Sequence, residues 1–192
     1  MEYNPSNILD VADRQSFRAW LQAHHDDEAE CWVAVKRGRP TGDGVLCYLD
    51  AVEEALCFGW IDSISKAVDD ERLQRFTPRK PKSPWTELNK ERVRRLEALG
   101  LMTDAGRAVL PPMGPRSFHV HPDVESALKN ARCWAKFKRF PSLYQRVRAY
   151  NVAFYIDKDP AAYERALANL IARTKRSEMY GDWNDYGRLL DY

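Results

Sequence analysis

The stretch AVEEALCFGWIDS, from Ala51 to Ser63, constrains the chain more than any other because periodicity and chemistry both change inside it. Val52, Ala55 and Leu56 share one helical face, and Gly59 supplies the left-handed residue that ends a helix. Asp50 and Glu53 have the spacing of a capping box, which would open that helix. Past the stop come Trp60 and Asp62. From there Ile61, Ser63 and Ser65 alternate with Asp62, Ile64 and Lys66, which predicts a strand over 61–68. Leu73–Thr77 reads as its antiparallel partner across the charged turn Asp69–Glu71.

The flanking segments carry their own signals. Phe17, Trp20, Leu21 and His24 have helical spacing behind a cap at Asp13, predicting a helix from Arg14 to about His24. Cys31–Lys36 reads as a strand, and the RGRPTGDG that follows it is an exposed loop of the kind that often borders a site. Ser83 is the expected cap, and Pro84 the first residue, of a helix running to Leu99 and stopping at Gly100. Its inward stripe would be Trp85, Leu88, Arg92, Leu96 and Leu99. A short helix over Thr103–Leu110 ends at PPMGP, the clearest domain boundary in the chain. Beyond it, helices are expected to open at Pro122, Ser142 and Pro160, ahead of an aromatic and acidic tail. The expected class is α+β: a helix and β-hairpin core over 1–114, an all-helical module over 115–180, and the tail 181–192.

A length of 192 residues, 44% of them hydrophobic, is enough for a core that needs no disulfide or metal to stabilise it. Cys31, Cys47, Cys57 and Cys133 are widely spaced with no CxxC pair, as expected of reduced structural thiols. No apolar run spans a bilayer, and the acidic N-terminal segment lacks the basic start and apolar core of a signal peptide, so a cytoplasmic location is expected. The HxH formed by His119 and His121 has only Asp123 near it, too little for a metal site, and no metal or other cofactor is expected.

The net charge of +2 hides an asymmetry. Residues 1–31 carry seven acids against Arg14 and Arg18, whereas 72–95 carry nine bases against Glu87 and Glu91. Pairing between the two segments is the simplest outcome; an anionic partner is the other. A second basic run, Lys129–Arg148, is interleaved with Trp134, Phe137 and Phe140, a composition shared with nucleic-acid surfaces. The near-neutral charge and the lack of a binding motif argue for a solvated helical face instead.

No phosphate loop, GxGxxG, HExxH or Ser–His–Asp order is present. The constellation left is Trp60, Asp62, Arg79, Trp85, Asn89 and Arg92, which the hairpin and the following helix can bring together. In a binding site the arginines would clamp a carboxylate or phosphate, the tryptophans would wall a flat ligand, and Asp62 would accept a hydrogen bond or act as a base. In a packing role Asp62 would be the partner of one arginine and the tryptophans would be core. Whether the chain is an enzyme stays open at this point, as do any protein partner and the oligomeric state.

Tyr48, AVEEALCFGWIDS, RFTPRK (Arg75–Lys80), SPWTELNKERV (Ser83–Val93) and LMTDAG (Leu101–Gly106) together resemble the YdeI/OmpD-associated, or bacteriocin-protection, family. The likeness runs from about Phe17 to Gly106, with a weaker one in ALKNARCWAKFKRFPSLYQRV. It implies a stress or antimicrobial-protection factor and supplies no catalytic residue.

Overall fold

The computed structural model describes residues 5, 7–68 and 71–192; Glu2 of the acidic segment and the turn residues Asp69 and Asp70 lie outside them. The chain forms an α+β fold divided into two compact units. The first takes the described residues up to Ser83 together with Arg92–Pro111, and the second takes Pro84–Glu91 and Pro112–Tyr192.

In the first unit the elements are β1 (Ile8–Leu9), α1 (Arg14–His24), β2 (Cys31–Ala34), α2 (Tyr48–Cys57), β3 (Trp60–Val68) and β4 (Glu71–Pro78). They are joined by the C-terminal part of α3 (Glu87–Ala98) and by α4 (Asp104–Ala108). The sheet order is β1-β2-β4-β3, with β1 parallel to β2 and the other pairs antiparallel. Asp13 caps α1 as its sequence predicts: its side chain accepts from the Ser16 N–H, and Ser16 Oγ accepts from the Asp13 N–H. Phe17 and Leu21 of α1 are fully buried, and the Phe17 ring lies 5.4 Å from that of Phe76 on β4. All four cysteines are buried free thiols. Burial pushes Cys57 up to about 12, as expected of an unreactive core thiol.

Two expectations at helix starts are corrected. The helix α2 opens at Tyr48 behind Cys47, which makes no side-chain cap, so Asp50 and Glu53 form no capping box. Every α2 residue from Leu49 to Cys57 is buried, and a helix enclosed on all sides must pair its acids. Arg14 Nη1 donates to Glu53 Oε2 at 2.8 Å and to Asp50 Oδ1 at 3.2 Å, Arg95 Nη1 donates to Glu53 Oε1 at 2.8 Å, and Arg18 Nη1 donates to Glu54 Oε2 at 2.7 Å. Burial disfavours the charge on Arg14, but Glu54 and Glu53 outweigh it and raise its pKa. The helix α3 begins at Glu87, not Pro84, with Thr86 Oγ1 accepting from the Asn89 N–H. Of its expected inward stripe Leu96 is buried, whereas Leu99 is exposed, and Val93 is buried as well. Of the two oppositely charged segments, Arg75 and Glu30 pair directly.

The turn from α2 to β3 depends on two glycines. Gly59 has φ +76, and its carbonyl accepts from the Arg79 N–H at 2.9 Å. Gly106, inside α4, lets that helix meet the end of α2: an added Cβ would lie 2.2 Å from the Cys57 carbonyl oxygen. Thr103 Oγ1 donates to that same oxygen at 2.6 Å.

The second unit is helical: α5 (Pro122–Asn130), α6 (Trp134–Phe137), α7 (Ser142–Ala153) and α8 (Pro160–Lys175), with the first turn of α3. Its core contains Val124, Leu128, Phe137, Tyr144, Val147 and Leu170, and Leu88 of α3 packs against it. Trp183 and Leu189 of the tail are buried in that core. Tyr144 meets Trp183 edge-on at 5.5 Å.

Two variants probe the first unit. Gly106→Ala should lower unfolding stability by roughly 2–4 kcal/mol, since backbone must move to admit the Cβ. Glu53→Ala should cost about 3 kcal/mol, because it takes the carboxylate from Arg95 and one of three from Arg14 at a largely buried site. Urea unfolding followed by circular dichroism measures both, and a loss under about 0.5 kcal/mol would contradict either account.

Candidate functional site

Asp62 lies near the start of β3, opposite Phe76 of β4, and the register shifts between Asp62 and Ser65. Such a bulge re-aims side chains and is common beside sites. Tyr48, the first residue of α2, donates its phenol O–H to Asp62 Oδ2 at 2.6 Å. One helix therefore frames the pair, carrying Tyr48 at its start and leading through Gly59 into β3 at its end.

Two arginines of the same unit act on this pair. The Arg37 guanidinium, from the glycine-rich loop, lies over the Tyr48 ring at 3.8 Å from its centroid. It is oriented by Gln74 of β4, whose Oε1 accepts from Arg37 Nη2 at 2.7 Å. Gln74 is itself buried and fixed by donating Nε2 to the Ile64 carbonyl at 3.0 Å. Arg92 of α3 is the second. Burial, then the charge and hydrogen bond of Asp62, push the Tyr48 phenol up to about 12, against the opposing charges of Arg92 and Arg37. Tyr48 is therefore a fixed donor at neutral pH and no base. Asp62 and Tyr48 are half-buried while Arg37 is exposed, so the group has a solvent-facing side.

The six residues singled out in the sequence have four different placements. Asp62 and Arg92 belong to the Tyr48 group. Trp60 is 1% exposed, donates Nε1–H to the His25 carbonyl at 3.1 Å and meets Trp20 edge-on at 5.9 Å, so it packs in the core rather than walling an open pocket. Arg79 is buried beyond β4, with its backbone bound to Gly59. Trp85 and Asn89 are buried residues of the second unit. Tyr48, Arg37 and Gln74 are the residues that reasoning on the sequence left out of the site. Arg37 had a signal, in its position within a loop of three glycines and a proline.

The basic run of the second unit is largely engaged. Lys129 pairs with Glu125, Arg146 pairs with Glu91, Lys136 Nζ donates to the Lys175 carbonyl, and Arg148 lies over the Tyr180 ring. Among the described residues no cluster of three or more metal-ligating side chains occurs, and no helix is long and apolar enough to cross a membrane.

Fold and site define an α+β protein with a polar site built on one buried helix and the sheet edge beside it. Residues 9–109 match the family described as Domain of unknown function (DUF8412), more than half of the chain, and the protein belongs to that family. The match takes in Arg37, Tyr48, Asp62, Gln74 and Arg92, while α5 to α8 lie beyond it. Comparison with curated proteins and with solved structures gives no match.

The Tyr48 assignment has a direct readout. With 13C-labelled tyrosine rings, the Tyr48 resonance, identified by its loss in Tyr48→Phe, should titrate near 12 rather than at the ordinary 10. Asp62→Asn should bring it partway down, burial being the larger cause. Because the folded pKa is the raised one, the stability contributed by this group is complete below pH 10 and is lost as pH rises through about 12. Titration at 10 would refute the half-buried Tyr48–Asp62 bond.

Proposed function

We propose that the first unit binds a small anionic ligand, carrying a carboxylate or phosphate, at Arg37, Tyr48, Asp62 and Arg92. The observation that carries this reading is the Arg37 guanidinium over the Tyr48 ring, held by Gln74, with Arg92 contributing positive charge to the same phenol. A guanidinium fixed in this way is suited to bidentate recognition of an oxyanion, and part of the ordering cost is met before binding. Asp62, tied to Tyr48, would reject a ligand that places its anionic group on the wrong side, which gives orientation. The likeness of AVEEALCFGWIDS and its companion segments to the YdeI/OmpD-associated family supports a further step in the same proposal. Ligand binding would then serve a cytoplasmic stress or antimicrobial-protection role.

One observation favours a catalytic variant of this reading. Asp62 is held by a phenol that stays protonated, the arrangement of an oriented carboxylate base beside an arginine anion clamp. A substrate with an acidic proton next to its anionic group would suit it.

Titration of the 15N-labelled protein with inorganic phosphate and with benzoate tests the binding reading. Saturable shifts are expected at Arg37, Tyr48 and Arg92, with affinity falling roughly tenfold in Arg37→Ala, about the value of one charge-assisted contact. Linear, unsaturated shifts with both anions, or equal affinity in the variant, would overturn it.

A further inference from the structure

The helical unit contains a cleft that the Tyr48 site does not use. It encloses about 350 Å³ and is lined by Phe118, Val120, Ala149, Tyr150 and Ala153, with Glu87 among its polar residues. The volume suits a ligand of one or two rings. The apolar lining continues onto the surface as a chain of aromatic rings. Tyr150 lies 6.5 Å from Phe154, and Phe154 lies 5.4 Å from Tyr155. Phe154 and Tyr155 are both exposed, and Lys158 Nζ sits 3.4 Å from the Phe154 ring centroid. A cleft leading to an exposed aromatic rim is a common form of site for a flat apolar molecule.

Glu87 gives the cleft its polarity. It is 1% exposed, and its Oε1 pairs with Lys90 Nζ at 2.8 Å. Its Oε2 accepts no hydrogen bond among the described residues, and Arg146 Nε stands 3.5 Å from it. A buried carboxylate oxygen without a donor is costly, and a ligand that supplies one recovers that cost. Arg146 Nη2 meanwhile bonds Glu91 Oε2 at 2.8 Å. Two acids, Glu87 and Glu91, thus face two bases, Lys90 and Arg146, and the group is charge-balanced. A charged ligand would upset that balance in a poorly solvated place, whereas a neutral donor would not.

We propose that this cleft binds a neutral aromatic molecule carrying an N–H or O–H donor, of the indole, phenol or aryl amide class, with the donor directed to Glu87 and the ring set between Phe118 and Tyr150. The site lies wholly within the second unit and is independent of anion binding in the first.

Indole and benzofuran provide the test, since they share shape and differ in the N–H that Glu87 would accept. In 15N correlation spectra of the full chain, indole should shift the resonances of Val120, Ala149 and Tyr150 saturably. Benzofuran should bind the same residues roughly tenfold more weakly. Ala153→Leu, which fills the cleft, should abolish both titrations while leaving the rest of the spectrum in place. Because the comparison of the two ligands uses the unaltered protein, it stands even if that variant folds poorly. Equal affinity for the two would overturn the role of Glu87. Shifts that do not saturate, or that fall outside the cleft, would overturn the site itself.

Discussion

The first unit is arranged around the carboxylate of Glu53. Its side chain is fully buried, and it accepts from Arg14 of α1 through one oxygen and from Arg95 of α3 through the other. Removing such charges from water costs several kcal/mol per ion, and only a geometry that satisfies both oxygens offsets the cost. Asp50 and Glu54 are held in the same layer by Arg14 and Arg18. Arg18 also donates to the Leu101 carbonyl at 2.9 Å, which ties the chain leading into α4 to α1. Two helices, α1 and α3, are thereby fixed to α2, and the loop before α4 to α1, by directional contacts, where apolar packing alone would permit sliding.

The site inherits its geometry from this arrangement. With α2 fixed, Tyr48 at its start and Asp62 beyond its end can meet only if the chain reverses sharply between them. Gly59 makes the reversal and Gly106 gives the room for it. The sheet then supplies Gln74, which sets Arg37 over Tyr48. The polar surface group is a consequence of a buried ionic layer and a close helix–helix approach.

The parts of the fold that the sequence made legible are those encoded locally. The Asp13 cap with its helix, the hairpin that follows Gly59, and the helices opened by Pro122 and Pro160 each depend on residues a few positions apart. Asp50 and Glu53 misled for the same reason: their spacing suits a local cap, and what draws them elsewhere is Arg14 and Arg95, far along the chain in both directions. Trp60 beside Asp62 suggested two neighbours in one pocket. In a strand, residues two apart share a face, yet here one is sealed under Trp20 while the other, half-buried, accepts from Tyr48.

The sequence by itself determined the α+β class, most of the helix and strand positions and the importance of the segment leaving AVEEALCFGWIDS, because caps, periodicity and glycine act over short range. Only the tertiary structure decided that the two glutamates of that segment are interior, that Trp60 is core, and that Tyr48 and Arg37 complete the group around Asp62. Each of these depends on which distant side chain arrives to satisfy a buried charge or hydrogen bond. No local pattern carries that information.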